Sequence, residues 1–413
     1  MKKEELLEKT TYQYLKSGDF NGLALSGLKS EKENIIALVR EGTIEINFGD
    51  KHRNPHIKAF ELDDKDLQIL KIESIGLENA CAYPTRKHLE RVVDINKFKD
   101  RPFTLKIALG EPQLNYAVFD LSVLEAYRND PRYIYSSDDI QGWISVSDEY
   151  YPSSSMKASD KVLLQSFGFC YEKGTWNRAV AVFYRYLAYL TPEHQQIWNS
   201  KVLTGEYFLH PDYARSSAGN FYERESIFVA FCEELHTINE FSRLMDRPSL
   251  FRESYRVNRP REFAYLIRPT LKEYNSFVLL LDKMISDNIN KDFFQRDVTC
   301  LTETKTSDGK VMVRPKATIS LLKDWLDIKF RTPDPRPKDE MIETFRKIRR
   351  MRMKPAHRVD EDRFEPEYLK EQRKLMIEAY SAIRMLRLIL QNHPRTRTYV
   401  IPDWLFKGEI WNF

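Results

Sequence analysis

The residues whose types and spacing could carry out chemistry lie in one basic segment near the carboxyl end of the chain. Residues 346–358 include seven Lys or Arg and no acid, and four residues separate Arg352 from His357. Phosphodiester cleavage requires positive charge to hold and stabilise the phosphate, and a group that moves protons near neutral pH. An arginine beside a histidine provides both, so the segment predicts a ribonuclease.

A structural interpretation of the same segment is available. Arginine-rich helix faces are most often solvated, and one histidine among eight is usually structural. Ile342, Phe345 and Ile348 recur every three residues and predict a buried stripe, on which Arg352 is the next position. Because a guanidinium directed at packed surface is costly unless it is paired or functional, Arg352 is expected at an interface or a site.

The end of this helix is predicted to be irregular. Pro355 lacks a backbone N–H and displaces the residue before it, Lys354, from helical geometry. His357 would then turn back toward Arg352 instead of continuing the helical rotation.

The arginine–histidine helix and the long amphipathic helix predicted over about residues 366–391 resemble the HEPN superfamily of α-helical ribonucleases. That superfamily is common in prokaryotic toxin, CRISPR-associated and anti-phage systems. The resemblance covers roughly residues 261–394. The family motif is Arg-x4–6-His, and relative to His357 both Arg352 (x4) and Arg350 (x6) fit it.

This resemblance implies a metal-independent endoribonuclease that acts in anti-phage defence or as a toxin or abortive-infection effector. The enzyme would be a homodimer or a higher homo-oligomer, with Arg and His from two protomers lining one cleft. His357 would assist attack of the RNA 2′-hydroxyl on the adjacent phosphate, and Arg352 would stabilise the developing charge. No metal or cofactor is implied; the implied partners are RNA, a second copy of the chain and a phage-derived trigger or regulatory partner. The residues expected to bind RNA are Arg346, Arg349, Arg350 and Lys354.

A function from another class stays open. HEPN domains also occur as non-catalytic modules that bind RNA, nucleotides or partner proteins. The family commonly has Asn, Asp or His directly after the motif arginine, whereas Met353 follows Arg352 here. In that alternative, the basic helix would bind RNA or a partner protein without cutting RNA.

Composition and charge agree with a folded chain whose carboxyl part attracts polyanions. The 413 residues are 42% hydrophobic and 13% aromatic, sufficient for two or three domains with cores. Residues 261–413 carry a net charge of +8, which leaves −4 on the first 260 residues. No apolar run exceeds six residues, so we expect no membrane-spanning segment. The first residues lack the apolar core of a secretory signal, so we expect a cytoplasmic protein.

Motifs of other enzyme classes are absent from the sequence. It contains no phosphate-binding Gly-x4-Gly-Lys, no dinucleotide-binding Gly-x-Gly-x-x-Gly and no Gly-x-Ser-x-Gly. The four cysteines lie 62 or more residues apart, which excludes a Cys-x-x-Cys metal knuckle. His236 has acids three residues before and four after it, but the second Glu-x-x-His of a di-metal site is missing.

The elements that must position the basic segment predict an α+β fold in three parts. Residues 1–174 are predicted to be a β-rich, antiparallel, sandwich-like domain with a sensor or regulatory role. Residues 175–258 are predicted to be helical, as a connector or as part of the N-terminal domain. Residues 259–413 are predicted as a four-helix HEPN-like bundle with an inserted β-hairpin and a tail that packs on its own subunit or a neighbour. Predicted strands include 34–39, 43–48, 103–109, 114–119, 142–147 and 161–167.

Overall fold

The computed structural model of the chain describes residues 1–151, 156–217, 219–220, 224–305, 311–356 and 361–412. Helices are mixed with mainly antiparallel sheets, so the predicted α+β class is confirmed. The chain divides into two compact units, Met1–Ser217 and Ala218–Phe413. This division differs from the predicted parts, 1–174, 175–258 and 259–413.

The first unit carries helices α1–α9 and strands β1–β9. The helices are α1 (Lys3–Lys16), α2 (Lys32–Glu41), α3 (Lys65–Ser74), α4 (Arg86–Val92), α5 (Pro102–Ala108), α6 (Glu125–Asn129), α7 (Tyr184–Ala188), α8 (Pro192–Asn199) and α9 (Pro211–Ser217). The strands are β1 (Leu23–Ala24), β2 (Ile44–Phe48), β3 (Ala80–Pro84), β4 (Tyr116–Phe119), β5 (Tyr133–Ser137), β6 (Gln141–Val146), β7 (Leu163–Glu172), β8 (Arg178–Phe183) and β9 (Tyr207–Leu209). One antiparallel sheet has the order β1-β3-β2, and another has the order β4-β8-β7-β6-β5, with β9 paired to β7.

Two of the predicted strands are wrong, because residues 34–39 lie in α2 and residues 103–109 lie mostly in α5. In α2 the buried residues Ile35, Leu38 and Val39 follow helical spacing, and Gly42 ends the helix with a φ of 71°. Helix α5 begins at Pro102, a residue suited to the first helical position. Spacing and end signals outweigh the strand propensity of the branched residues.

The opposite error concerns the start of the predicted helical connector. Residues 178–183 form β8, which pairs with both β4 and β7. Five of its six residues are buried, so it appears in the sequence as a continuous apolar run without alternation. Such a run does not distinguish a buried strand from a buried helix. Thr191 caps α8, since its side-chain hydroxyl accepts a hydrogen bond from the His194 N–H.

The second unit carries helices α10–α15 and strands β10–β13. The helices are α10 (Ile227–Leu244), α11 (Leu271–Asp282), α12 (Thr318–Lys329), α13 (Arg336–Ala356), α14 (Glu367–Gln391) and α15 (Asp403–Lys407). The strands are β10 (Glu225–Ser226), β11 (Leu301–Lys305), β12 (Val311–Pro315) and β13 (Ile410–Trp411). Strands β11 and β12 pair as the predicted inserted hairpin, whose expected turn at 307–310 lies outside the described residues.

Helix α14 forms the axis of this unit. It buries one face, which includes Leu375, Ile383 and Leu386, and it packs against α10, α11 and α13. Helix α10 shares one hydrophobic core with α11–α14, so the predicted four-helix arrangement must be extended by a helix that the sequence assigned to the connector. The reason is that α10 is apolar on most sides, and such a helix is buried.

The ends of the unit are also held by its core. The carboxyl tail packs on its own chain, as one of the two expected alternatives, because Leu405 is buried in the core and β13 pairs in parallel with β10. Helix α13 buries Ile342, Phe345 and Ile348, which confirms the predicted stripe. In the described ranges, no helix combines the length and the apolar character needed to cross a membrane.

Candidate functional site

Helix α13 directs two of its arginines toward α11. The helix packs against α11 through its buried stripe, and Arg349 and Arg352 extend that side by one further turn. Their side chains reach Asp282, the last residue of α11, and Asp287, the last residue of the π-helical turn Lys283–Asp287 that continues it. We call Asp282, Asp287, Arg349 and Arg352 the acid–arginine cluster.

The contacts of the cluster are short and shared. Nη1 of Arg349 lies 3.1 Å from Oδ2 of Asp282 and 2.6 Å from Oδ1 of Asp287. Nη1 of Arg352 lies 2.7 Å from Oδ2 of Asp282 and 2.7 Å from Oδ2 of Asp287. Each arginine therefore binds both carboxylates, and each carboxylate binds both arginines.

The π-helical turn explains why both acids face the same way. In an α-helix of 3.6 residues per turn, side chains five positions apart point about 140° away from each other. In a π-helical turn, the residue five positions on is the hydrogen-bonded neighbour. The turn Lys283–Asp287 therefore brings Asp287 onto the side of the helix where Asp282 already lies.

The two acids of the cluster differ in solvent exposure. The Asp282 side chain is 0% exposed and that of Asp287 is 41% exposed, whereas Arg352 and Arg349 are 28% and 40% exposed. Burial would raise the pKa of Asp287, but hydrogen bonds from Arg349 and Arg352 outweigh it and hold that pKa below its ordinary value. Hydrogen bonds to Asp282, and then to Asp287, raise the pKa of Arg352. The cluster thus holds two positive and two negative charges.

Arg349 and Arg352 have N–H groups that do not contact the two carboxylates. A guanidinium carries five N–H groups in a planar fork, and in both arginines only Nη1 donates to a carboxylate. Within the part of the chain that the structure describes, Nε and Nη2 of these two side chains donate no hydrogen bond. Two parallel N–H groups match two oxygens of a phosphate, so each arginine retains an edge suited to an oxyanion.

The other predicted site residues are placed differently. Arg350 is exposed and pairs with Glu343 of the same helix at 2.5 Å. Arg346 is half-buried and makes no ion pair with a described residue. The side chain of Lys354 and the whole of His357 lie outside the described residues, so the expected approach of His357 to Arg352 stays a prediction. The helix continues through Pro355 to Ala356, so the proline removes one donor from the last turn without ending it.

The acids of the cluster were not predicted, although the sequence contains a signal for one of them. Tyr274, Val278 and Asp282 follow each other at intervals of four, and the first two lie on the buried stripe of α11. An acid on such a stripe requires a buried partner, which is the argument that identified Arg352. Asp287 carried no comparable signal, because its position depends on the π-helical turn.

Chemically, the cluster can bind an anion. It consists of two carboxylates and two guanidinium groups and contains no imidazole, so a proton-transfer role would fall to His357. In the described ranges, no group of three or more His, Cys, Asp or Glu side chains is placed to hold a metal ion. Comparisons with protein-family models, with curated proteins and with solved structures found no match to this chain.

Proposed function

We propose that the chain is a metal-independent endoribonuclease of the HEPN type that acts as a homodimer, in anti-phage defence or as a toxin or abortive-infection effector. The observation that carries this proposal is the arrangement of Arg349 and Arg352. Both are held by carboxylates through Nη1, and on both half-exposed side chains the Nε–H and Nη2–H groups have no acceptor among the described residues. Fixed donors aimed at a phosphate stabilise charge in a transition state better than mobile ones do.

The proposed reaction is transfer of the phosphate ester within the RNA. The 2′-hydroxyl attacks the adjacent phosphorus as its proton passes to His357, and the bond to the 5′-oxygen of the next nucleotide breaks. That oxygen receives a proton, so the products carry a 2′,3′-cyclic phosphate and a 5′-hydroxyl. Arg352 stabilises the negative charge that develops on the phosphate oxygens, and Arg349 holds the same or a neighbouring phosphate.

Dimerisation supplies the rest of the proposed site. Arg349 and Arg352 are neither fully buried nor fully solvated in one chain, which suits a groove formed by the same helix ends of two copies. The alternative is a non-catalytic HEPN module that binds RNA, a nucleotide or a partner protein with the same two arginines.

The test is incubation of the purified protein with labelled tRNA or total RNA in the presence of a chelator. We expect cleavage that leaves 2′,3′-cyclic phosphate ends, and a loss of about 100-fold or more in Arg352→Ala and in His357→Ala. Arg336→Ala is the matched control. Arg336 is an exposed arginine of the same helix, pairs with Asp334 and lies about 24 Å along the axis from Arg352.

Three results separate the alternatives. A gel shift without cleavage supports the binding module. Cleavage by Arg352→Ala and His357→Ala at the parent rate, with unchanged RNA binding, overturns both functions of this site. A strictly monomeric mass for the active protein, with and without RNA, would contradict the shared groove.

A further inference from the structure

We propose that the acid–arginine cluster is a gated phosphate site in which the two acids have different tasks. Asp282 is a positioning residue for the arginines, and Asp287 is an internal counter-anion that an RNA phosphate replaces. This inference rests on the proposed function and adds how the site is kept closed when RNA is absent.

Asp287 bridges the two arginines in the way that a phosphate could. Its Oδ1 accepts from Arg349 and its Oδ2 accepts from Arg352, so two oxygens on one central atom bridge two guanidinium groups. A phosphodiester presents the same pattern, because its two non-bridging oxygens share one phosphorus atom. Asp287 therefore occupies the place that a bridging phosphate would take.

The side chains of Asp282 and Asp287 differ in burial. Asp282 is fully buried, and moving its charge away from the arginines would leave an unpaired carboxylate without solvent. Asp287 is 41% exposed and can turn to water at little cost, since exposed ion pairs contribute little. A phosphate can therefore replace the carboxylate of Asp287 but not that of Asp282.

The net charge of the acid–arginine cluster depends on the position of Asp287. With both acids in place, the cluster is neutral and gives an approaching phosphate little attraction. When Asp287 turns away, the two arginines exceed the remaining acid by one charge. The affinity for phosphate then depends on the fraction of molecules in which Asp287 has released the arginines.

Asp282 has the opposite effect in this scheme. Its Oδ2 accepts from both Nη1 atoms and so holds this nitrogen of each guanidinium group in place. Arginine side chains carry large rotamer entropy, and a binding step that must first order them loses affinity. Removing the buried charge would therefore weaken the phosphate site, although it makes the region more positive.

The experiment compares two chemically identical substitutions, Asp287→Asn and Asp282→Asn, in the full-length protein. Binding is measured with a single-stranded 2′-O-methyl RNA, which lacks the attacking hydroxyl and is not cut. We expect Asp287→Asn to raise the affinity about threefold to tenfold. We expect Asp282→Asn to lower it, although both variants gain the same charge.

Glu378→Gln is the matched control. Glu378 pairs with Lys347 of α13 at 2.5 Å, so its neutralisation adds the same charge beside the same helix without touching the cluster. We expect less than about a twofold change in this variant. Urea unfolding of each variant shows whether Asp282→Asn folds; if it does not, the comparison of Asp287→Asn with Glu378→Gln decides the matter.

The outcomes separate this inference from the proposed function. If Arg349→Ala with Arg352→Ala leaves RNA binding unchanged, the site itself is wrong. If those substitutions weaken binding but Asp287→Asn behaves like Glu378→Gln or binds less RNA than the parent, only the gate is overturned. In cleavage assays, the gate predicts a lower KM for Asp287→Asn with little change in kcat, a split that a purely structural role of Asp287 would not produce.

Discussion

Two arginine–carboxylate groups of the second unit use the same chemistry in contrasting surroundings. In the core, Nε and Nη2 of Arg387 donate to the two carboxylate oxygens of Glu234 at 2.8 and 3.2 Å, and Nη1 donates to Gln391 at 2.7 Å. Both charged side chains are almost completely buried. Every nitrogen of this guanidinium is used, whereas Arg349 and Arg352 each donate through one nitrogen to the residues that the structure describes.

The carboxylates of the two groups also shift in opposite directions. Burial raises the pKa of Glu234, and the hydrogen bonds from Arg387 offset only part of that effect. For Asp287, burial acts in the same sense, but the hydrogen bonds from the two arginines prevail and the pKa falls. The comparison teaches that an ion pair alone does not mark a site. Unused donors and access to solvent separate the acid–arginine cluster from a pair that holds two helices together.

The largest expected effect on stability comes from breaking the buried pair. Arg387→Met leaves the carboxylate of Glu234 without its partner between α10 and α14, and we expect the free energy of unfolding to fall by about 3–5 kcal/mol. Urea denaturation followed by circular dichroism measures it. RNA cleavage per folded molecule should not change.

The double variant Glu234→Leu with Arg387→Met controls for the buried charge. It removes both charges and should recover most of the lost stability. Arg352→Met should cost only about 1 kcal/mol, because its side chain is partly solvated and Arg349 still pairs with Asp282. An equal loss in Arg387→Met and Arg352→Met would abolish the distinction between the two groups.

The sequence predicted the local framework of the cluster but not its composition. The stripe of α13 and the buried face of α14 follow from helical spacing, and that spacing also indicated that Arg352 points toward packed surface. Its partners Asp282 and Asp287 lie 70 and 65 residues earlier in the chain. Periodicity describes one element at a time, so it cannot say which helix supplies the acids.

The two errors in the fold have different causes. Residues 34–39 form a helix and residues 178–183 form a strand, although both segments are rich in branched or apolar residues. Tertiary pairing decides residues 178–183, since β8 lies between β4 and β7. Helical spacing and the end signal at Gly42 decide residues 34–39. Helix α10, which was predicted within the connector, shares a hydrophobic core with α14, a helix more than 120 residues further along the chain.

An intermediate effect is expected at a third group, centred on Asp297. Its carboxylate pairs with Arg247 at 2.5 Å and Lys329 at 2.6 Å, and accepts from Nε1 of Trp325 at 3.0 Å. Burial would raise the pKa of Asp297, but the bonds from Lys329, Trp325 and Arg247 outweigh it and lower the pKa to about 2. If solvent access is what separates a site from a structural pair, this enclosed acid belongs with Glu234.

We therefore expect Asp297→Asn to reduce the free energy of unfolding by about 2 kcal/mol at pH 7 and to leave cleavage unchanged. Because the folded pKa lies below the ordinary value of 3.8, the contribution is complete above about pH 4 and disappears as the pH falls toward 2. Urea unfolding of parent and variant between pH 7 and pH 2 measures the difference. A gap that stays constant down to pH 2 would show that the carboxylate charge is not its source.

The smallest effect is expected from Arg350→Ala. Arg350 is exposed and, among the described residues, pairs with Glu343 of its own helix alone, so stability should change by less than about 0.5 kcal/mol. If Arg350 contacts a flanking phosphate, as the resemblance implies, cleavage should fall less than about threefold at low salt. The slope of log affinity against log salt should then decrease by about 0.7, the value for one phosphate contact on a single strand.

Because Arg350 and Arg352 both satisfy the Arg-x4–6-His spacing, this variant also tests which arginine is functional. A loss of cleavage in Arg350→Ala with full activity in Arg352→Ala would transfer the catalytic role to the exposed arginine and reverse the comparison.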